Sequence, residues 1–168
     1  MFNIMNELKL ASMLALLTIV GFTSNAVNAD SSGDGAESIV ISLHTDPTKD
    51  PEPACVALQI GMNLLSKDFG KPADDVTMFV TTGGVELVNP HNSIHNRTIP
   101  KPVCTTPKGV NTASLQDLKG GFQKLGGKIV ICPLCAMSRD ITKPTDGKMA
   151  SGKDIHNLFL IADKVITF

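Results

Sequence analysis

The chain has 168 residues, with 15 Lys and Arg against 16 Asp and Glu, and a net charge of −1. That balance excludes a basic, phosphate-seeking surface and argues against nucleic acid or an anionic membrane as partner. Trp and Tyr are absent and only 7 Phe are present, which argues against a base-stacking platform.

Residues 1–29 have the three-part shape of a secretory signal. Glu7 and Lys9 are the charges of the first part, residues 10–22 form an apolar run, and a small polar stretch ends in Val27-Asn28-Ala29, a signal-peptidase pattern. The run is short for a membrane span, which needs about 20 residues. No Cys stands at the cleavage site, which argues against a lipoprotein. Cleavage after Ala29 leaves a flexible leader over 30–37 and one domain over 38–168, long enough to bury a core by itself. The expected location is periplasmic or secreted, with no membrane contact after cleavage. All four cysteines (Cys55, Cys104, Cys132 and Cys135) lie in the mature part, in a compartment where disulfides persist. Four thiols allow three pairings.

In chain order, residues 38–44 read as a strand whose apolar centre points to burial on both faces. Residues 45–52, with two prolines and two aspartates, are a loop. A helix is expected over 53–69. Pro53 suits its first turn, Ala54, Leu58, Gly61 and Leu65 recur at helical spacing, and Gly70 suits its stop. A second strand over 76–81 runs into Thr82-Gly83-Gly84. Residues 86–111 have little periodicity, carry Pro90, Pro100, Pro102 and Pro107, and hold His91, His95, Arg97 and Cys104. Loops of this length are often functional. Residues 114–125 read as a helix with Ser114 as N-cap and Asp117 at the capping-box position. Its apolar face carries Leu115, Leu118, Phe122 and Leu125.

Next comes the stretch that frames the chemistry, Gly127-Lys-Ile-Val-Ile-Cys132-Pro-Leu-Cys135-Ala-Met-Ser-Arg139. Its β-branched run suggests a strand buried on both faces. Pro133 cannot donate to a ladder, so the strand should stop there. Cys132 and Cys135 then sit at the carboxyl edge of the sheet, where ligands collect in open α/β folds. They also face a helix start, whose free N–H groups favour a thiolate. Residues 141–152 are mostly loop, 154–162 an amphipathic helix with Ile155, Leu158, Phe159 and Ala162 on one face, and 164–168 a final strand. Strand and helix alternate throughout, the pattern of an α/β domain of flavodoxin-like size with a mostly parallel sheet.

With these residues in place, the chain resembles the DsrE/DsrF-like sulfur-relay family. Leu125-Gly126-Gly127 leading through a strand into Cys132 is similar to the family's strand into its thiol. Cys132-x-x-Cys135-x-x-x-Arg139 resembles the version with paired cysteines, and Ile161-Ala-Asp-Lys-Val-Ile-Thr-Phe168 its last helix and strand. The resemblance spans residues 38–168 and is weakest over 86–111. It implies a flavodoxin-like fold with helices on both faces, and homo-oligomers, often trimers or hexamers. It also implies a sulfurtransferase or sulfur-carrier activity in which Cys132 bears a persulfide, with a protein as sulfur donor or acceptor. Asp140 departs from the Gly that commonly follows the Arg, and the export signal departs from the cytoplasmic relay proteins.

Several alternatives stand beside that reading. In the persulfide reading Cys135 is the resolving or assisting thiol; in the alternative, electrons pass through a Cys132–Cys135 disulfide. All four cysteines can instead be structural, in a non-catalytic oligomeric subunit. Cys55 and Cys104 are candidates for a structural disulfide, though Cys104 can also reach the Cys132 edge. His91-x-x-x-His95 with Cys132 and Cys135 has zinc-ligand spacing, against which the surrounding Asn89, Asn92 and Asn96 favour solvated loop histidines. His44, at the end of the first strand, is a candidate for assisting proton transfer. Arg139 is a candidate for holding a thiolate or a sulfur oxyanion. No nucleotide fingerprint is present, and no cofactor is expected.

Overall fold

The computed structural model describes residues 36–92, 94, 104–105 and 112–168. In chain order its elements are β1 Ser38–Leu43, α1 Glu52–Leu65, β2 Asp75–Val80, β3 Cys104–Thr105, β4 Thr112–Ala113, α2 Leu115–Lys124, β5 Lys128–Ile131, α3 Pro133–Met137, β6 Lys148–Met149, α4 Gly152–Ile161 and β7 Lys164–Thr167. Short 3-10 segments cover Lys67–Phe69 and Thr82–Val88. The signal expected over 1–29 lies outside the described residues, as does most of the expected leader over 30–37. Among the described residues, no helix is long and apolar enough to cross a membrane.

Five strands form one all-parallel sheet in the order β6-β5-β2-β1-β7. The expected α/β, flavodoxin-like architecture is present. β1 and β2 occupy its centre, and every residue after the first in each is buried. Alternation along these strands sorts their side chains onto two faces. Ile39, Ile41 and Leu43 of β1 and Val76, Met78 and Val80 of β2 join the core with Leu58 of α1 and Phe122 of α2. A fully buried side chain of this size contributes about 1.5–3 kcal/mol. The helices approach closely: a Cβ on Gly61 would stand 2.7 Å from the Phe122 ring, and one on Gly127 2.4 Å from it. The opposite face holds Phe79, whose ring meets Phe159 of α4 edge-on at 5.4 Å.

The second face is covered less fully than the sequence suggests. In β5, Ile129 and Ile131 are buried but Val130 only half so, and Lys128 is exposed. β7 runs at the sheet's edge with Val165 half exposed, and α4 buries no residue fully. Burial on both faces therefore holds for the two central strands alone. α1 also ends earlier than the apolar spacing suggests. Ser66 turns extended and its hydroxyl caps the short Lys67–Phe69 turn by accepting from the Asp68 N–H. α2 carries the expected capping box, Ser114 with Asp117, and α4 carries another, Ser151 with Asp154.

The long connection from β2 to α2 is described only in part. Its antiparallel β3–β4 pair matches Cys104 with Ala113. Cys104 is disulfide-bonded to Cys55 of α1 across a separation of 49 residues, and both are buried. On the chain-entropy model, closing a loop of that length stabilises by about 4 kcal/mol.

Candidate functional site

The carboxyl ends of β1, β2 and β5 meet at one edge of the sheet. The Cys132 N–H continues the ladder by donating to the Val80 carbonyl at 3.0 Å. Pro133 then stops the strand, and the Cys132 carbonyl accepts the first helical bond, from the Ala136 N–H. This tight strand-to-helix step places Cys135 one turn on, with its Sγ 2.9 Å from the Cys132 Sγ. Both cysteines are half-buried free thiols. α3 spans only Pro133–Met137, too short for a strong helix dipole.

The groups around the thiols come from β2 and the turn that follows it. Thr81 is still extended, and its N–H donates to the Leu43 carbonyl at 3.0 Å. Its Oγ1 lies 3.4 Å from the Cys135 Sγ. Thr82 takes φ 45°, a left-handed conformation that costs a β-branched residue. Its hydroxyl donates to the His44 carbonyl at 2.8 Å and so fixes that turn. Gly83 and Gly84 follow because β1 comes too close for side chains. A Cβ on Gly84 would stand 2.1 Å from the Leu43 carbonyl oxygen, and one on Gly83 2.8 Å from the Asp46 nitrogen.

Charge at the site is uneven. Burial pushes the Cys135 thiol up. Hydrogen bonding with Cys132, with the Thr81 side chain and with the Thr82 backbone, together with the Arg139 charge, outweighs it and holds Cys135 below the ordinary thiol range. Arg139 does not grip either sulfur by a hydrogen bond. Its Nη1 donates to the Cys135 carbonyl at 3.4 Å, and its Nε is 3.6 Å from the Glu86 carboxylate. Glu86 is itself held by the side-chain amides of Asn89 and Asn92. Asp140, where the resemblance leads one to look for Gly, adopts φ 55°. That is the conformation glycine takes without cost and Asp tolerates.

His44 lies at the same edge, but its side chain turns away to its own strand. Its Nε2 is 2.9 Å from the Ser42 hydroxyl, and only its backbone supports the thiol turn. His91 is exposed, His95 lies outside the described residues, and no cluster able to hold a metal occurs among the described residues. Cys55 and Cys104 are bonded to each other rather than drawn to the thiol edge.

The sequence did not single out Thr81, Thr82 as a donor, Glu86 or Lys119. Lys119 of α2 is only 1% exposed. Its Nζ pairs with Asp146 at 2.6 Å and donates to the Leu87 carbonyl and the Thr145 hydroxyl. Burial lowers its pKa and the Asp146 pair opposes this. The Thr145 N–H takes the neighbouring Val88 carbonyl at 3.0 Å. These bonds anchor the far end of the Thr82–Val88 segment, which packs on α3.

No protein-family model and no curated protein matches the chain. Among solved structures, the crystal structure of the ychN protein from E. coli superposes with a TM-score of 0.58 at 18% identity, covering 79% of this chain and 99% of that one. The likeness is one of fold. ychN is a DsrE/DsrF-like protein, and this chain shares its flavodoxin-like architecture.

Proposed function

We propose that the chain is an exported DsrE-like sulfur carrier, which binds or transfers sulfane sulfur as a persulfide on the Cys132 and Cys135 pair. One observation carries the reading: two free thiols 2.9 Å apart at the carboxyl edge of the sheet, with polar groups turned toward one of them. The fold shared with a DsrE/DsrF-like protein supports it. Export by residues 1–29 places the domain in the periplasm or outside the cell. Its partners are then a sulfur donor and a thiol-bearing acceptor in that compartment. Leu160 and Ile161, 69% and 67% exposed on α4, together with Val165, support self-association into a homo-oligomer.

The intact mass of the mature protein tests this, after mild reduction and then with thiosulfate or polysulfide. The reading expects an adduct of about 32 Da per sulfur that disappears when Cys132 and Cys135 are both replaced by Ser. A protein that never takes up sulfur, and instead becomes lighter by about 2 Da on mild oxidation through this pair, is a thiol–disulfide redox protein.

A further inference from the structure

Sequence spacing offers Arg139 to a thiolate or a sulfur oxyanion, but the folded chain gives its guanidinium to Glu86. We propose that Glu86 is a positioning residue that selects the sulfur donor at this edge. By occupying Arg139 it favours a donor whose sulfane sulfur sits on an uncharged group, R–S–SH, over thiosulfate.

Glu86 lies in the Thr82–Val88 segment that packs on α3. Its side chain is only 15% exposed, and its carboxylate is 3.6 Å from the Arg139 Nε. The Asn89 Nδ2 donates to the same carboxylate at 2.8 Å and the Asn92 Nδ2 at 3.2 Å. The next two residues are anchored as well. The Leu87 carbonyl accepts from the buried Lys119 Nζ at 3.3 Å, and the Val88 carbonyl from the Thr145 N–H at 3.0 Å. A carboxylate locked in this way holds its partner in one place. The Arg139 Nη1 is engaged too, with the Cys135 carbonyl at 3.4 Å and the Ser138 hydroxyl at 3.3 Å. Recognition of a sulfur oxyanion needs oriented N–H donors or a cation. Among the described residues, Arg139 is the basic side chain whose charge reaches Cys135. Paired with Glu86, it has little charge left for a second anion. Leu134 and Met137, 75% and 69% exposed on α3 beside the thiols, offer an oxyanion no donor and suit an apolar R group.

The inference rests on the sulfur-carrier reading for its substrate class. An edge thiolate attacks the outer sulfur of R–S–SH. A bond forms between Sγ and that sulfur, the donor's S–S bond breaks, and the R–S thiolate leaves with the electron pair. The protein thiol is oxidised to a persulfide and the donor is reduced to a thiol. From thiosulfate the leaving group is sulfite, a dianion whose growing charge calls for the cation that Glu86 holds.

Two alkylating reagents of similar size test the charge selection without a sulfur donor. Iodoacetamide is neutral, and iodoacetate carries a carboxylate. Mild reduction leaves the Cys55–Cys104 bridge closed, and intact mass then reads the rate of each reagent on the edge thiols. Each rate is divided by the same reagent's rate on 2-mercaptoethanol. On this scale the wild type should react no faster with iodoacetate than with iodoacetamide. Glu86→Gln keeps the shape of the side chain and an oxygen for the Asn amides, and it releases Arg139. It should raise the iodoacetate rate about fivefold and the iodoacetamide rate less than about twofold, and added salt should shrink the gain. Adding Arg139→Gln should abolish it. Glu86→Gln should likewise raise sulfur uptake from thiosulfate more than uptake from benzyl persulfide. Circular dichroism confirms that each variant is folded. A wild type that prefers iodoacetate overturns the inference, as does a folded Glu86→Gln variant that changes both rates alike or neither. If the reagent selection holds but neither sulfur donor loads the protein, Glu86 remains the charge selector and the sulfur-carrier reading falls.

Discussion

The protein carries two cysteine pairs that differ in every physical respect. Cys55 and Cys104 are 49 residues apart in sequence, buried and bonded, and they tie α1 to the long connection between β2 and α2. Cys132 and Cys135 are three residues apart, half-buried and unbonded, at the carboxyl edge of the sheet. The first pair gains its effect from loop length, because a long closed loop restricts the unfolded chain. The second gains nothing comparable from closing so short a loop. What distinguishes it is its surroundings: a hydroxyl 3.4 Å from one sulfur, and a guanidinium bonded to the carbonyl of the same residue. Separation in sequence and polarity around the sulfur together sort a staple from a reactive site.

The largest expected effect is in accessibility. A thiol reagent added to the folded protein should modify Cys132 and Cys135 and leave Cys55 and Cys104 untouched until the protein is reduced and unfolded. Four reactive thiols in the native state would erase the distinction. Next comes stability. Replacing both Cys55 and Cys104 with Ala should lower the unfolding free energy by about 2–4 kcal/mol, read from the denaturant midpoint. Cys132→Ser should cost less than about 1 kcal/mol, as half-exposed positions usually do. Between these lies Gly84→Ala. Its Cβ would meet the Leu43 carbonyl at 2.1 Å, so the edge must shift, at a cost of about 1–3 kcal/mol. The same shift should slow labelling of Cys135 while the Cys55–Cys104 bridge stays intact, as a thiol count would show.

The pH dependence is smaller and has a definite sign. A thiol held below its ordinary value of 9.0 stabilises the folded state as thiolate. That contribution is fully present above pH 9.0 and is lost as the pH falls through the lowered folded-state midpoint. Wild type should therefore gain stability relative to Cys135→Ser as the pH rises through this window, and a flat difference between them would count against a perturbed thiol. Smallest of all is Arg139→Gln. The guanidinium acts on Cys135 through space and is partly exposed, so screening leaves about a twofold slowing of labelling, which added salt should reduce in the wild type.

Much of this fold is legible in the chain itself. The apolar runs of β1 and β2 announce their double burial, Ser114 and Asp117 announce the start of α2, and Pro133 announces the end of β5. Ser151 and Asp154 carry the same capping signal as Ser114 and Asp117, so the start of α4 could have been found two residues earlier. Other features depend on distant partners. Val130 looks like a buried strand residue, but whether the sheet face beside it is covered depends on where α4 crosses. The cradle at Cys135 was hidden for the same reason. Thr81 precedes it by 54 residues, and a Thr-Thr-Gly-Gly stretch after a buried strand reads as a turn until β5 is set beside β2. The apolar run and Pro133 identified the thiol edge, while the position of the groups around it is a property of the folded chain.

Sulfur uptake by the mature protein with its Cys55–Cys104 bridge intact tests the central claim most directly. Gentle reduction should open only the Cys132 and Cys135 pair, and polysulfide should then add sulfur within the peptide spanning residues 129–139, with the bridge still closed by mass. Sulfur found on Cys55 or Cys104, or no uptake by a protein whose two edge thiols are demonstrably free, would contradict the account.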